Sequence, residues 1–138
     1  NCRFGDPETQ VGLPLLEGDL LEIMLAVREK RLASVSVGRK AGCAACVVLA
    51  SGGYPVSYQK GFPIRGLGPD GQVPGAVVYH AGTKRAADGS FLTSGGRVLG
   101  VTALGETLPE ALDRSYAALR KISFEGAFCR SDIGQKVL

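Results

Sequence analysis

Residues 43–50, Cys-Ala-Ala-Cys-Val-Val-Leu-Ala, form an unbroken apolar run between Gly42 and Ser51-Gly52-Gly53. The run is short, partly β-branched and bordered by glycine, which favours a strand over a helix. A strand apolar on both faces must be covered on both, so it reads as a central strand with layers on either side. The rest of the chain has to supply those layers. Twenty glycines and seven prolines in 138 residues are too many for a helical bundle and point to a turn-rich mixed fold. The length is that of one domain with a modest core. The fold class expected is α+β.

Upstream of that strand, Asn1 and Arg3 alternate with Cys2 and Phe4, the period-two pattern of a strand. Asp6 is a good helix cap and Pro7 suits a first helical position, so a strand is expected to run into a helix there. This helix is short, residues 9–13, because Pro14 interrupts it. Asp19 with Glu22 makes a capping box for a second helix, striped by Leu20, Ile23, Met24 and Val27, with Arg28, Lys30 and Arg31 at its end.

Downstream, Gly52-Gly53-Tyr54-Pro55 reads as a turn, and Phe62-Pro63-Ile64 as a short edge strand. Residues 66–75 read as a surface loop. Successive antiparallel strands are expected at 76–83, 90–93 and 97–104, with Asp88-Gly89 as a hairpin turn. Thr107 and Glu110 make another capping box. It precedes a helix striped by Leu108, Leu112, Tyr116, Leu119 and Ile122. A final strand is expected at 124–129, which leads to Arg130-Ser131-Asp132.

The formal net charge of +3 is spread along the chain, which argues against a nucleic-acid surface. No apolar run is long enough to cross a bilayer as a helix, so no membrane partner is expected. Cys43 and Cys46 have C-x-x-C spacing, but no second pair accompanies them. Packed, reduced thiols are the expectation, with redox or metal roles as the alternatives, and the compartment is then a reducing one.

Three groups of residues can carry chemistry. In the first block the carboxamide of Asn1 can ligate a metal and the guanidinium of Arg3 can hold an anion. Asp6 and Glu8 favour a helix start with or without a ligand. His80, the only histidine, is either a packed, hydrogen-bonded side chain or part of an anion pocket with Gly82 and Thr83. Arg97 follows Gly95-Gly96, where a fork of donors lies beside accessible backbone N–H groups. Its alternative is a surface arginine after a turn. Lys84 is a weaker candidate, and Asp132 is expected to cap a turn or pair with a neighbour.

Asn1-x-Arg3-Phe4-Gly5-Asp6-Pro7-Glu8-Thr9-Gln10, His80-Ala81-Gly82-Thr83, Gly95-Gly96-Arg97-Val98-Leu99 and Arg130-Ser131-Asp132-Ile133-Gly134 occur in that order. Together they resemble the glycinamide ribonucleotide synthetases, which are ATP-grasp ligases. The resemblance implies an α+β fold corresponding to the C-terminal part of such a ligase. Residues 1–34 would close its catalytic domain. Residues 35–138 would form a small, mostly antiparallel sheet or barrel-like domain with packed helices. The family pattern is Glu-x-Asn, and its Glu would stand two residues before Asn1. The chain is therefore expected to be a piece of a longer enzyme, inactive alone and completed by the rest of the same polypeptide.

The resemblance further implies a cytoplasmic enzyme of purine synthesis that joins glycine to 5-phosphoribosylamine through glycyl phosphate. ATP would be the co-substrate and Mg²⁺, or Mn²⁺, the metal. It implies Asn1 as the metal ligand and Arg3 as the catalytic residue at the acyl phosphate. Arg97, His80, Gly82, Thr83 and Gly96 would bind the ribose-phosphate substrate. Two other readings stand beside this one. One is a non-catalytic binding or assembly domain that keeps the fold without the ATP machinery. The other is a cysteine-nucleophile enzyme using Cys2, for which no nearby histidine or oxyanion loop is visible.

Overall fold

The computed structural model describes residues 3–137. In chain order the elements are α1 (Thr9–Gly12), β1 (Leu16–Glu17), α2 (Leu20–Arg28), β2 (Gly38–Arg39), β3 (Cys43–Ala50), β4 (Val77–His80), β5 (Thr83–Arg85), β6 (Phe91–Thr93), β7 (Arg97–Gly105) and α3 (Leu108–Leu119). Three antiparallel sheets result: β1 with β2, β5 with β6, and a three-stranded sheet in the order β3-β7-β4. The α+β expectation and the mostly antiparallel pairing both hold.

The apolar run 43–50 is β3, with the bounds the sequence indicates, but it is not the central strand. That place belongs to β7, which pairs with β3 on one side and β4 on the other. The reason is visible in its burial: every residue from Val98 to Ala103 is buried. Both α3 and α1 pack against β3. Val47, Leu49, Leu99 and Val101 meet Ala118, Leu119 and Ile122 in the main core. Burying each of the larger aliphatic side chains stabilises the fold by roughly 1.5–3 kcal/mol.

Helix α3 starts as expected, with Thr107 Oγ1 accepting from the Glu110 N–H. Glu110 does not reach back to complete the box. Its carboxylate accepts from the Glu106 N–H instead and pairs with Arg114. The helix is fastened to the sheet at its exposed edge by Arg114, which donates to the Leu104 carbonyl at 2.9 Å, and inside the core by Ser115, which is fully buried. The Ser115 hydroxyl accepts from the Ala103 N–H at 3.0 Å and lies 2.8 Å from the Ala45 carbonyl oxygen. One oxygen thus touches the helix's two neighbouring strands.

Helix α2 is capped by Asp19, which accepts from the N–H groups of Leu21 and Glu22. Lys30 follows the helix in the left-handed region at φ 57°, and Arg31 turns back to pair with Glu22 and Glu29. The apolar stripe is not buried as an amphipathic face should be. Only Ala26 is buried, and Leu21, Met24, Leu25 and Val27 are all exposed.

Two further expectations change. The stretch 124–129 is no continuous strand: it makes one bridge from Phe128 to Ala50, after a turn at Glu125-Gly126. The loop 66–75 is exposed in part but pinned at its middle, where Val73 is buried. The Gln72 amide donates to the Val78 carbonyl at 3.0 Å and accepts from the Val78 N–H at 2.8 Å. The edge strand around Pro63 survives as two bridges, Pro63 to Leu92 and Arg65 to Ser123. No described helix is long and apolar enough to cross a membrane.

Candidate functional site

The antiparallel pairing of β4 with β7 sets His80 opposite Leu99. Beyond that pair the chain continues in register: the Ala81 N–H donates to the Val98 carbonyl and the Gly82 N–H to the Arg97 carbonyl at 2.8 Å. The Ser94 N–H then donates to the Gly82 carbonyl at 2.7 Å. The corner leaving β4 and the turn entering β7 are therefore one compact structure. Its closeness explains two glycines. A Cβ on Gly82 would lie 2.6 Å from both the Cα of Gly95 and the carbonyl oxygen of Arg97. Only bare backbone permits that approach.

Gly96 is buried for a similar reason, with the ring of Tyr54 directly over its Cα and Tyr58 beside it. Ser51 secures this turn from β3: its N–H donates to the Gly96 carbonyl and its hydroxyl to the Gly95 carbonyl at 2.9 Å. A cleft of about 380 Å³ is lined by Gly52, Ser57, Tyr58, Gln59, Phe62 and Gly126 among others.

Arg97 begins β7 and reaches across to the first block. Its Nη2 pairs with Asp6 Oδ2 at 2.9 Å, and its Nη1 donates to the Asp6 carbonyl oxygen at 3.1 Å. The other carboxylate oxygen of Asp6 accepts from Gln10 Nε2 at 2.9 Å. This corrects the reading of Asp6 as a helix cap. Its carboxylate is drawn away to Arg97 and Gln10, and Glu8 occupies the cap position without a side-chain bond. Pro7 lies in the turn before α1, not at its first residue, and the Asp6–Pro7 peptide is cis. The helical turn starts from the Gly5 carbonyl, which accepts from the Thr9 N–H.

Among the described residues the segment before Asp6 is not a strand. Phe4 is 55 % exposed and so does not pack as the alternation implied. Arg3 is exposed, and among the described residues its guanidinium bonds only the Phe4 carbonyl, at 3.4 Å. Asn1, the expected metal ligand, and Cys2 lie outside the described residues.

His80 has both ring nitrogens engaged. Nε2 faces the Gly71 carbonyl oxygen at 3.0 Å, and Nδ1 faces Thr83 Oγ1 at 3.0 Å. A carbonyl can only accept, so Nε2 carries a proton, and in the neutral ring Nδ1 accepts from the Thr83 hydroxyl. The imidazole also stacks on Phe91, with centroids 4.8 Å apart, and the Arg85 guanidinium lies over the same ring. His80 thus ties the 66–75 loop to the β5–β6 hairpin. Lys84 is exposed on β5, and Asp132 pairs with Arg130, which holds its carboxyl below the usual range.

The structure brings Gly82, Thr83, His80, Gly96 and Arg97 to one end of the sheet, and joins them to the first block through Asp6. Among the described residues no hydrogen bond or ion pair links Arg3 to them. Sequence reasoning missed Asp6 as the partner of Arg97, and the tyrosine cover over Gly96. No local pattern carries either contact, because Asp6 and Arg97 are 91 positions apart. Cys46 is buried, and burial pushes its thiol upward. Among the described residues no group of three or more His, Cys, Asp or Glu side chains converges as a metal site.

An antiparallel α+β domain, closed by one long helix and carrying two glycine-linked turns at one end, is the class these features define. Residues 44–136 match the family described as phosphoribosylglycinamide synthetase, C domain, and the chain belongs to that family. It is 49 % identical to the phosphoribosylamine–glycine ligase of a Nostoc species over 99 % of its own length and 32 % of that protein. With the ligase of the same name from Chlorobaculum tepidum the identity is 51 %, over 100 % of this chain and 32 % of the relative. A crystal structure of phosphoribosylamine–glycine ligase from Thermotoga maritima superposes with a TM-score of 0.73 at 33 % identity, covering 96 % of this chain and 32 % of that one. The chain thus spans about a third of the length of these relatives.

Proposed function

We propose that the chain is part of an ATP-dependent carbon–nitrogen ligase that joins glycine to 5-phosphoribosylamine, a step of purine synthesis. The observation that carries this reading is the match along the whole chain to ligases of that name. The convergence of the first block with the His80 and Gly95-Gly96 blocks adds to it, because separated motifs that meet in space are the mark of a site.

In the proposed reaction the terminal phosphoryl group of ATP passes to a carboxylate oxygen of glycine, giving glycyl phosphate and ADP. The amine of 5-phosphoribosylamine then attacks the acyl carbon, loses a proton, and phosphate departs with the acyl C–O bond. Arg3, exposed and with no acidic partner among the described residues, is placed at the acyl phosphate, where a guanidinium stabilises developing charge. His80, Gly82, Thr83, Gly96 and Arg97 border the place proposed for the ribose phosphate. Asn1 would be a ligand of Mg²⁺ or Mn²⁺, a metal that neutralises phosphate charge when bound. We assign residues 1–34 to the catalytic domain and residues 35–138 to the domain that follows, and place the enzyme in the cytoplasm.

The test uses the complete polypeptide that contains this chain. ADP formation that requires both glycine and 5-phosphoribosylamine is expected, and Arg3→Ala should depress turnover at saturating metal. Absence of ADP formation with both substrates present would overturn the reading.

A further inference from the structure

We infer that Asp6 and Arg97 form a latch that sets the segment bearing Arg3 in register with the sheet, which makes both of them positioning residues. The inference rests on the ligase reading for its catalytic consequence, but its geometry stands apart from it. Arg97 spends both terminal nitrogens on one residue, the side chain and the backbone of Asp6, at 2.9 and 3.1 Å. Such a fork fixes orientation as well as distance. Asp6 is held on its other side by Gln10 Nε2, so the turn 5–8 and the first turn of α1 move with it. On the sheet side Arg97 is equally constrained. Its own carbonyl accepts from Gly82, and the preceding Gly96 is clamped between Ser51 and Tyr54.

Gly5 is tied to α1, its carbonyl accepting from the Thr9 N–H and the Thr9 hydroxyl, but no other described hydrogen bond fixes Arg3 and Phe4. Phe4 is exposed, and Arg3 bonds only its neighbour's carbonyl. The side chains of Asp6 and Arg97 are each 42 % exposed, and a pair that open to solvent adds little to global stability. Its consequence is local order. Arg97, together with the packing of α1 on β3 and β7, thus sets the position from which residues 3–5 extend.

Two measurements test this, using Asp6→Asn, Arg97→Gln and the double variant. In the present chain, hydrogen exchange at the amides of residues 9–12 should accelerate roughly ten-fold in each single variant and no further in the double, with β3 and β7 amides unchanged. In the complete ligase each single variant should lower kcat roughly ten-fold, with KM for 5-phosphoribosylamine held within about two-fold and the double no worse than either. Asp6→Glu should restore part of the loss. Unchanged exchange at residues 9–12 overturns the latch. So does a large rise in KM confined to Arg97→Gln, which would make Arg97 a substrate anchor. If the unmodified ligase shows no turnover, the functional reading falls while the exchange measurement still decides the latch.

Discussion

A methyl group added at Gly96 would have to share space with the ring of Tyr54 and would sit 2.9 Å from Tyr58 Cε1. Ser51 holds the Gly96 backbone from the other side, so the turn cannot retreat. Gly96→Ala should therefore cost on the order of 1–3 kcal/mol, the usual range for overpacking. The midpoint of urea unfolding should fall at constant m, and a Tyr54→Ala background should relieve most of the loss. Cys46 gives a prediction of pH dependence. Burial raises its thiol above the unfolded range, so the native state holds the proton longer than the unfolded chain. Stability contributed by Cys46 should be complete below about pH 8.5 and decline as the pH rises beyond it. Cys46→Ser should remove that decline, and native-state labelling of Cys46 should be slow. At this scale the sequence marked Arg97 as a residue with work to do but could not show its partner. Asp6 carries a strong local reading as a helix cap, and a contact across most of the chain overrides it.

Ser115 is the element-scale counterpart, because it fastens α3 to two strands at once. Ser115→Ala would leave the Ala103 N–H and the Ala45 carbonyl short of a partner inside the core. The expected loss is about 1–3 kcal/mol, the cost of stranding a buried polar group, read as a lower urea midpoint. An unchanged midpoint would show that the two strands satisfy each other without the hydroxyl. The elements themselves were largely legible. Apolar period and turn residues marked β3, the hairpin at Asp88-Gly89 and α3, and the structure has all three. Strand order was not legible, since nothing within 43–50 says whether one neighbour or two will pair with it. The stretch 124–129 read as a strand because its composition is apolar, but Gly126, at φ 71°, turns the chain between its two halves. Helix α2 read as amphipathic and is so in sequence, yet Leu21, Met24, Leu25 and Val27 stand in solvent. Periodicity reports a face and not what covers it.

On the scale of the molecule, burial is uneven. The core lies between α3 and the sheet β3-β7-β4, while residues 20–37 leave Leu21, Val27, Leu32 and Val37 exposed. The site residues gather at one end of that sheet, with the first block reaching them through Asp6 alone among the contacts described above. One contact in the 66–75 loop has a further consequence, for how copies of this chain behave in one another's company. Among the described residues no fourth strand pairs with β4, and a bare strand is a template for any other strand that meets it. Gln72 stands in for the missing neighbour, with one carboxamide making the pair of bonds to Val78 that a backbone would make. Growth of the sheet at the β4 edge is thus opposed by a side chain and not by a layer. Gln72→Ala should uncover that edge and give concentration-dependent association in sedimentation velocity, while Gln72→Glu, which can accept but not donate, should fall between. If Gln72→Ala stays monomeric wherever the parent does, the loop backbone and not its amide keeps neighbouring molecules apart.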